Sequence, residues 1–216
     1  MLEHFRYTNA IYALFAAHSQ NPTVTHDFNL PENALVLDAG AYVGDWCVQV
    51  ADCSPASTKI HAFEPGPPHV QQLITACEDL PNINIHQEAL GGTSSTASLS
   101  YLGPGSTLYD YSTATRSVEV KVRDIGEVLD ELLDGTSRRL DLLKLNVEGG
   151  EYEILERILE LDRLGSIEHL LIQFHDWLPA ATRKRWSLRR QFKKTHELVW
   201  DFPWIWEYWR RHTHTA

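Results

Sequence analysis

The chain has 216 residues, of which 43% are hydrophobic and 22% charged, and its formal net charge is −10. This length suffices for one α/β domain with a full core. The acidic balance argues against a general nucleic-acid-binding protein. No apolar run reaches the roughly 18 residues of a transmembrane helix, so we expect no integral membrane segment.

An apolar stretch, residues 10–17, lies near the N-terminus. It is short and lacks a basic leader, since Glu3 offsets Arg6, which argues against a signal peptide. Apolar side chains recur there on one helical face, so we predict an N-terminal extension, residues 1–33, whose amphipathic helix packs on a domain of residues 34–216. The face comprises Tyr7, Ile11, Leu14, Phe15 and His18.

Three cysteines, Cys47, Cys53 and Cys77, are odd in number and show no C-x-x-C spacing. This pattern argues against a disulfide framework or a zinc ribbon and fits a reducing compartment, so we expect a cytoplasmic protein.

The first strand candidate is the apolar run 34–37, which Asp38, Gly40 and Gly44 follow. Four consecutive apolar residues suit a strand buried on both faces of a parallel sheet. A buried strand, a glycine turn and a helix start can offer backbone N–H groups to a cofactor. These residues alone fit equally well an ordinary loop that contains two glycines.

Alternating strands and helices continue the chain. A helix over 45–53 precedes a strand over 59–63, which ends at the Pro-rich run 64–68. A second helix leads to a third strand that begins at residue 83 and ends near 88–90. This βαβαβ order implies a parallel sheet with right-handed crossovers.

Residues 91–117 are rich in Gly, Ser and Thr and predict either an excursion hairpin or a mobile loop over the site. The remaining elements complete a doubly wound α/β fold with a closing antiparallel hairpin. They are a helix at 125–133, a strand at 140–145, a helix at 151–161, a strand at 167–174, a basic helix and hairpin strands at 197–200 and 205–209.

The basic helix carries seven basic residues and no acidic one between positions 183 and 194. Such a run is either a solvated helix face or a docking surface for an anionic substrate or partner.

Polar side chains follow each predicted parallel strand. In an open α/β sheet, ligands bind beyond the carboxyl ends of the strands. The residues at these ends are Asp38, Glu64, Gln87, Glu88, Asn146, Glu148, Gln173 and His175. We therefore expect a ligand site at this edge of the sheet.

Glu64 lies 24 positions after Gly40, at the end of the second strand, where a carboxylate can accept both hydroxyls of a ribose. The alternative is an exposed acid before a Pro-rich turn. A dinucleotide site requires G-x-G-x-x-G, which fails here because Tyr42 and Asp45 occupy the glycine positions. The spacing D-x-G-x-x-x-G from Asp38 instead suits S-adenosyl-L-methionine.

Four stretches, in this order, resemble the FkbM family of S-adenosylmethionine-dependent methyltransferases. They are residues 36–44, residues 61–65, residues 88–90 and residues 141–149 with Glu151. The resemblance implies a Rossmann-like, mostly parallel seven-stranded sheet with an antiparallel last strand and helices on both faces. The chain departs from the family pattern at Tyr42 and Asn146, where the family usually has Asn and Asp, and at Gln173, where an acid is common.

The resemblance implies O-methylation of a hydroxyl on a sugar, glycan or secondary metabolite. Its acceptor can be anionic, and the oligomeric state is open. The predicted cofactor-binding residues are Asp38, Gly40, Ala41, Tyr42, Gly44, Glu64, Glu88, Ala89 and Asn146. No metal is predicted, because Asn146 lacks the charge that hard cations prefer.

A hydroxyl acceptor benefits from a general base, and the candidates are His175 and Glu148. His175 is preferred near neutral pH, although it could instead bond a neighbouring loop. Glu148 could instead orient the substrate or the following helix. Lys144 precedes Glu148 near the end of the same predicted strand, so it lies near this site or instead forms a salt bridge to a nearby acidic residue.

Two other functions stay open: an N-methyltransferase, which needs no strong base, and a non-catalytic protein of the same fold. A Tyr42 ring that blocks the pocket would favour the non-catalytic protein.

Overall fold

The central strand β1 (Leu35–Ala39) is buried along its whole length. Leu35, Leu37 and Ala39 join the apolar cluster on one face of the sheet, whereas Ala34 and Val36 join the cluster on the other face. The two clusters form because successive side chains of a strand point to opposite faces. Burial on both faces is typical of a strand in the middle of a parallel sheet, as predicted.

The computed structural model describes residues 13–17, 25–102, 105–107, 117–133 and 138–213. After β1 the further strands are β2 (Lys59–Phe63), β3 (Ile83–His86), β4 (Ala89–Gly91), β5 (Ser95–Leu102), β6 (Gly105–Thr107), β7 (Ser117–Asp124), β8 (Leu140–Leu145), β9 (Ile167–Ile172), β10 (His196–Phe202) and β11 (Trp206–Arg211). The α-helices after β1 are α1 (Asp45–Cys53), α2 (Pro67–Ala76), α3 (Ile125–Leu133), α4 (Glu151–Glu160) and α5 (Ala181–Phe192). None of the described helices is both long and apolar enough to span a bilayer.

The main sheet has seven strands in the order β10-β11-β9-β8-β1-β2-β3. β1 pairs in parallel with β2 and with β8, and β9 pairs in parallel with β8. β11 is antiparallel to both β9 and β10. The predicted Rossmann-like sheet with an antiparallel last strand is confirmed. Strand order reverses between β1 and β8, which is where ligands bind in such sheets.

A second sheet has the order β4-β7-β5-β6. β5 and β7 pair antiparallel, so the excursion hairpin is confirmed.

The predicted end of the third strand near residues 88–90 is wrong. β3 ends at His86, whose carbonyl accepts the Glu64 N–H, because the Pro-rich run after Glu64 leaves β3 no further partner on β2. Ala89–Gly91 instead pairs with β7.

The predicted N-terminal helix is described only over residues 13–17, which are helical. Tyr7, Ile11 and His18 lie outside the described residues. The Phe15 ring packs edge-on against Phe202 with centroids 5.4 Å apart, while Leu14 is exposed. Further along, Phe28 and Leu30 are buried in the core. The domain boundary at residue 33 stays a prediction.

The basic run divides into an inner and an outer set. Arg185 on α5 donates to Asp201 at 2.6 Å and to Glu207 at 2.7 Å, and Arg189 donates to Asp201 at 2.6 Å. Glu207 is 1% exposed. These contacts join α5 to the β10–β11 hairpin, so the two inner arginines have a structural role.

Replacing Arg185 with methionine should lower the free energy of unfolding by about 3 kcal/mol, because the buried Glu207 charge would lose its nearest cation and keep Arg189 at 3.3 Å and the Trp209 indole N–H at 3.0 Å. The exposed Arg190→Met on the same helix is the matched control and should change it by less than about 0.5 kcal/mol. Urea unfolding followed by circular dichroism measures both. Equal effects of the two variants would contradict the structural role of Arg185.

Candidate active site

The turn after β1 depends on Gly40, whose φ is +77°. Its N–H and that of Ala41 both donate to the Phe63 carbonyl, at 2.9 and 3.0 Å. A Cβ at position 40 would lie 1.9 Å from the carbonyl oxygen of Asn146. Only glycine permits this approach, which brings the carboxyl ends of β1, β2 and β8 together.

Tyr42 adopts the left-handed conformation with φ 53°, and Gly44 follows with φ 100°. The Tyr42 N–H donates to Glu64 Oε2 at 3.1 Å. Its ring packs edge-on against His69 with centroids 4.5 Å apart and is 43% exposed. An open cavity remains beside the ring, so Tyr42 does not block the pocket.

Asp38 lies beneath this turn, fully buried. Lys144 on β8 donates to Asp38 Oδ1 at 2.7 Å and to the Gly40 carbonyl at 2.8 Å. Lys144 therefore forms a salt bridge. Asp38 does not line the cavity and supports the glycine turn from below, which differs from its predicted contact with the cofactor.

Glu64 is buried at the end of β2 and lines the cavity. Its Oε1 accepts the Gly66 N–H at 2.8 Å, and His69 Nδ1 lies 3.4 Å from the same oxygen. Burial raises the pKa of Glu64. The hydrogen bonds from the Gly66 and Tyr42 N–H groups and the nearby His69 side chain partly oppose this rise. A carboxylate has about four acceptor positions; the Tyr42 and Gly66 N–H groups and His69 use three, so Glu64 can accept about one further hydrogen bond from a ligand hydroxyl.

The cavity has a volume of ≈ 200 Å³ at the carboxyl ends of β1, β2 and β8. Apolar side chains supply part of its wall, and the second sheet contributes Ala89, Leu90 and Leu99. The lining residues are Gly40, Tyr42, Phe63, Glu64, Pro65, His69, Ala89, Leu90, Leu99, Asn146, Val147, Glu148 and Gly150.

Two polar side chains from the β8–α4 turn face this cavity. Asn146 Oδ1 is buried and has no hydrogen-bond partner among the described residues. Glu148 adopts φ 50°, and Gly149 follows with φ 109°. Strained backbone of this kind persists only where surrounding contacts impose it, and it concentrates at functional sites.

Those contacts form a chain of three side chains behind the cavity wall. His175 Nε2 lies 3.4 Å from Glu148 Oε2, and His175 Nδ1 lies 3.2 Å from Glu151 Oε1. The fully buried Glu151 also accepts the His175 and Gly149 N–H groups, at 2.8 and 2.9 Å. Glu151 thus holds the end of β9 against the β8–α4 turn.

The environment of His175 disagrees with its prediction as a general base near neutral pH. Burial lowers its pKa, but hydrogen bonds and charge from Glu148 and Glu151 outweigh burial and raise the pKa to about 9. At neutral pH the imidazole is therefore protonated and cannot accept a proton. His175 also does not line the cavity, whereas Glu148 does.

The structure brings together six predicted residues as cavity lining: Gly40, Tyr42, Glu64, Ala89, Asn146 and Glu148. Asp38, Ala41, Gly44, Glu88 and His175 lie outside the lining. Glu88 instead contacts Lys121 at 3.0 Å and Arg123 at 3.6 Å.

Sequence reasoning missed the cavity-lining residues His69 and Leu99. His69 directly follows the Pro-rich run, five positions after Glu64. Its closeness to Glu64 in the sequence could have indicated that it also lines the cavity. The described residues contain no group of three or more His, Cys, Asp or Glu side chains that could hold a metal ion.

The sequence and the fold are similar to those of known methyltransferases. The chain is 27% identical to Methyltransferase sdnD of Sordaria araneosa over 187 aligned positions, which cover 72% of this chain and 71% of that protein. It is 27% identical to Methyltransferase 1 of Beauveria bassiana over 169 positions, covering 68% of this chain and 66% of that protein.

The fold also resembles a crystal structure of a putative rRNA-methylase from Clostridium thermocellum, with a TM-score of 0.50 and 7% identity over 85% of this chain and 89% of the other. At that identity the likeness concerns the fold alone. Residues 38–185 match the methyltransferase FkbM domain. The matched region runs from the end of β1 into the first turn of α5 and includes the whole cavity, so the chain belongs to the FkbM methyltransferase domain family.

Proposed function

We propose that this methyltransferase is an O-methyltransferase that acts on a hydroxyl of a sugar, glycan or secondary metabolite, with Glu148 as the proton acceptor. The observation that carries the proposal is the position of Glu148. It lines the same cavity as Glu64 and contacts a protonated histidine behind the wall. The acceptor class rests on the family resemblance, and the need for a base on hydroxyl chemistry.

Family membership supports S-adenosylmethionine as the methyl donor. The residues of the cavity fit this cofactor. Glu64 keeps about one acceptor position for a ribose hydroxyl. Phe63 and Leu90 offer apolar surface, and the buried Asn146 Oδ1 can accept a bond from an ammonium or hydroxyl group. When bound, the cofactor supplies an electrophilic methyl group on a sulfonium.

The chain's own residues then have three tasks. The cavity walls hold the acceptor in line and exclude water. The Glu148 carboxylate accepts the proton of the acceptor hydroxyl, which makes the oxygen a better nucleophile. His175, fixed by Glu151, is a positioning residue that holds the Glu148 carboxylate in one orientation.

The Tyr42 substitution is compatible with activity. Its backbone N–H bonds Glu64 and its ring stands against His69, so the cavity stays open. The non-catalytic alternative therefore lacks the blocked pocket that would favour it.

The acceptor can be found by comparing metabolites and glycans from cells with and without the gene by mass spectrometry. We expect a product that gains one methyl group on oxygen and disappears without the gene. A product methylated on nitrogen would overturn the O-methyltransferase proposal.

Replacing Glu64 with glutamine should weaken S-adenosylmethionine binding about 10- to 100-fold, because a charged acceptor of the ribose hydroxyls is lost. Isothermal titration calorimetry with S-adenosylmethionine and S-adenosylhomocysteine measures this. Glu88→Gln is the control, since Glu88 faces Lys121 and Arg123 outside the cavity, and its affinity should be unchanged. Unchanged affinity in Glu64→Gln would remove Glu64 from the site.

Replacing Glu148 with glutamine should lower kcat by about 10²- to 10⁴-fold while cofactor affinity stays unchanged, because the shape is kept and the proton acceptor is lost. Initial rates with the identified acceptor measure kcat, and calorimetry measures affinity. The exposed Glu119→Gln on β7 serves as the control and should retain full turnover. Full activity in Glu148→Gln would exclude Glu148 as the base.

Turnover should fall as the pH rises through about 9, because His175 then loses the proton that holds Glu148. If His175 were the base, turnover would instead rise through this pH. His175→Gln does not titrate and should lack this fall in turnover.

Folding stability provides a second readout of the His175 proton. A histidine with a raised pKa contributes fully below about 6.5 and loses that contribution as the pH rises to about 9, here roughly 3 kcal/mol.

A further inference from the structure

The outward face of α5 presents a tryptophan between basic side chains. Trp186 is 68% exposed. Arg183, Arg190 and Lys193 are also exposed, and their spacings of three, four and seven residues from Trp186 place all four on one side of the helix. We call Arg183, Trp186, Arg190 and Lys193 the Trp186 face. Leu188 and Phe192, on the opposite side, are buried in the core.

The charge of this face is not balanced locally. The ion pairs of α5 within the described ranges involve Lys184, Arg185 and Arg189. Arg189, three residues from Trp186, borders the face, but its charge is paired with Asp201 and Glu207. Arg183, Arg190 and Lys193 have no ion-pair partner among the described residues. Lys194, by contrast, borders a hollow that Glu160 and Asp162 also line, so we leave it out of the face.

The rest of the molecule has the opposite sign. The basic run 183–194 contains seven of the 19 Lys and Arg residues, so the other positions carry 12 basic and 29 acidic side chains. An anionic surface therefore attracts this face and repels most of the remaining protein, which fixes the orientation of approach.

A local explanation accounts for only part of the pattern. Cations near a helix C-terminus interact favourably with the helix dipole, which rationalises Arg190 and Lys193. It does not rationalise a large indole left in water among them. Tryptophan is enriched at the headgroup level of membranes, where one part of the ring is apolar and the N–H is hydrated.

We propose that the Trp186 face binds membrane surfaces rich in anionic phospholipid, with Trp186 entering the headgroup layer and the three cations contacting lipid phosphates. The outside of one helix suits a flat layer, because all four side chains can reach it together. Each Lys or Arg close to an anionic membrane surface contributes about 1 kcal/mol of attraction, so three of them together with the inserted indole give a measurable affinity. The proposal concerns peripheral attachment and is independent of the methyl-transfer chemistry.

Sedimentation with vesicles tests the proposal on the full chain. Vesicles of equal parts phosphatidylcholine and phosphatidylserine should sediment the protein, and binding should weaken as salt is raised. Vesicles of phosphatidylcholine alone should not. Arg183→Glu/Arg190→Glu should weaken binding by more than about tenfold. Trp186→Ala should also weaken it, because the indole no longer enters the headgroup layer.

The matched control is Lys59→Glu/Arg139→Glu, which changes net charge equally at two exposed positions away from α5. This control should retain most of the binding. Circular dichroism verifies that all variants fold. Equal loss in the control, equal binding to neutral vesicles, or no binding to either vesicle would overturn the proposal. Binding to soluble polyglutamate without vesicle binding would also overturn it and assign the face to an acidic protein.

Discussion

The buried ion pair between Asp38 and Lys144 is the constraint on which the site depends. The two residues are direct neighbours across the parallel β1–β8 pair, and their charged atoms lie 2.7 Å apart. The same ammonium donates to the Gly40 carbonyl and lies 5.5 Å from the centre of the Trp46 ring. The Lys144 side chain thereby connects β8 to the glycine turn after β1 and to the start of α1. Removing one partner of such a pair costs about 3–5 kcal/mol, because the other charge stays buried.

Two of the seven non-glycine residues with positive φ in the described part of the chain, Tyr42 and Glu148, line the cavity that this pair supports. Both have φ near 50°; Tyr42 lies two positions from Gly40 and from Gly44, and Glu148 directly precedes Gly149. Asparagine adopts this conformation more readily than tyrosine. The usual family residue at position 42 would therefore be less strained than the one present. The hydrogen bond from the Tyr42 N–H to Glu64 helps to impose the conformation at position 42, so the shape of the cavity and the position of the Glu64 carboxylate are coupled.

Much of the architecture could be predicted from local pattern. The apolar run before Asp38 indicated a strand buried on both faces, and the Pro-rich run after Glu64 indicated where β2 ends. The end of β3 could not be predicted from its own residues, because it depends on where β2 stops offering partners. β4 likewise pairs with a strand that follows much later in the chain.

The site was predicted less completely, because charge states depend on distant partners. Asp38 and Glu64 are both carboxylates at strand ends. Asp38 is paired with Lys144 and does not line the cavity, whereas Glu64 lines it, and the sequence did not distinguish these two environments. His175 looked like a base because histidine usually titrates near neutral pH. Its two acidic neighbours come from another turn of the chain and keep it protonated. The basic run was uniform in sequence, yet Arg185 and Arg189 pair with the closing hairpin while the outer residues do not.

The most direct measurement is a crystal structure of the chain with S-adenosylhomocysteine. The ribose hydroxyls should bond the Glu64 carboxylate, and the sulfur should face the part of the cavity lined by Asn146 and Glu148. Glu148 should still contact His175. A ligand bound away from Glu64, or a Glu148 side chain turned out of the cavity, would contradict the proposed site and its proton acceptor.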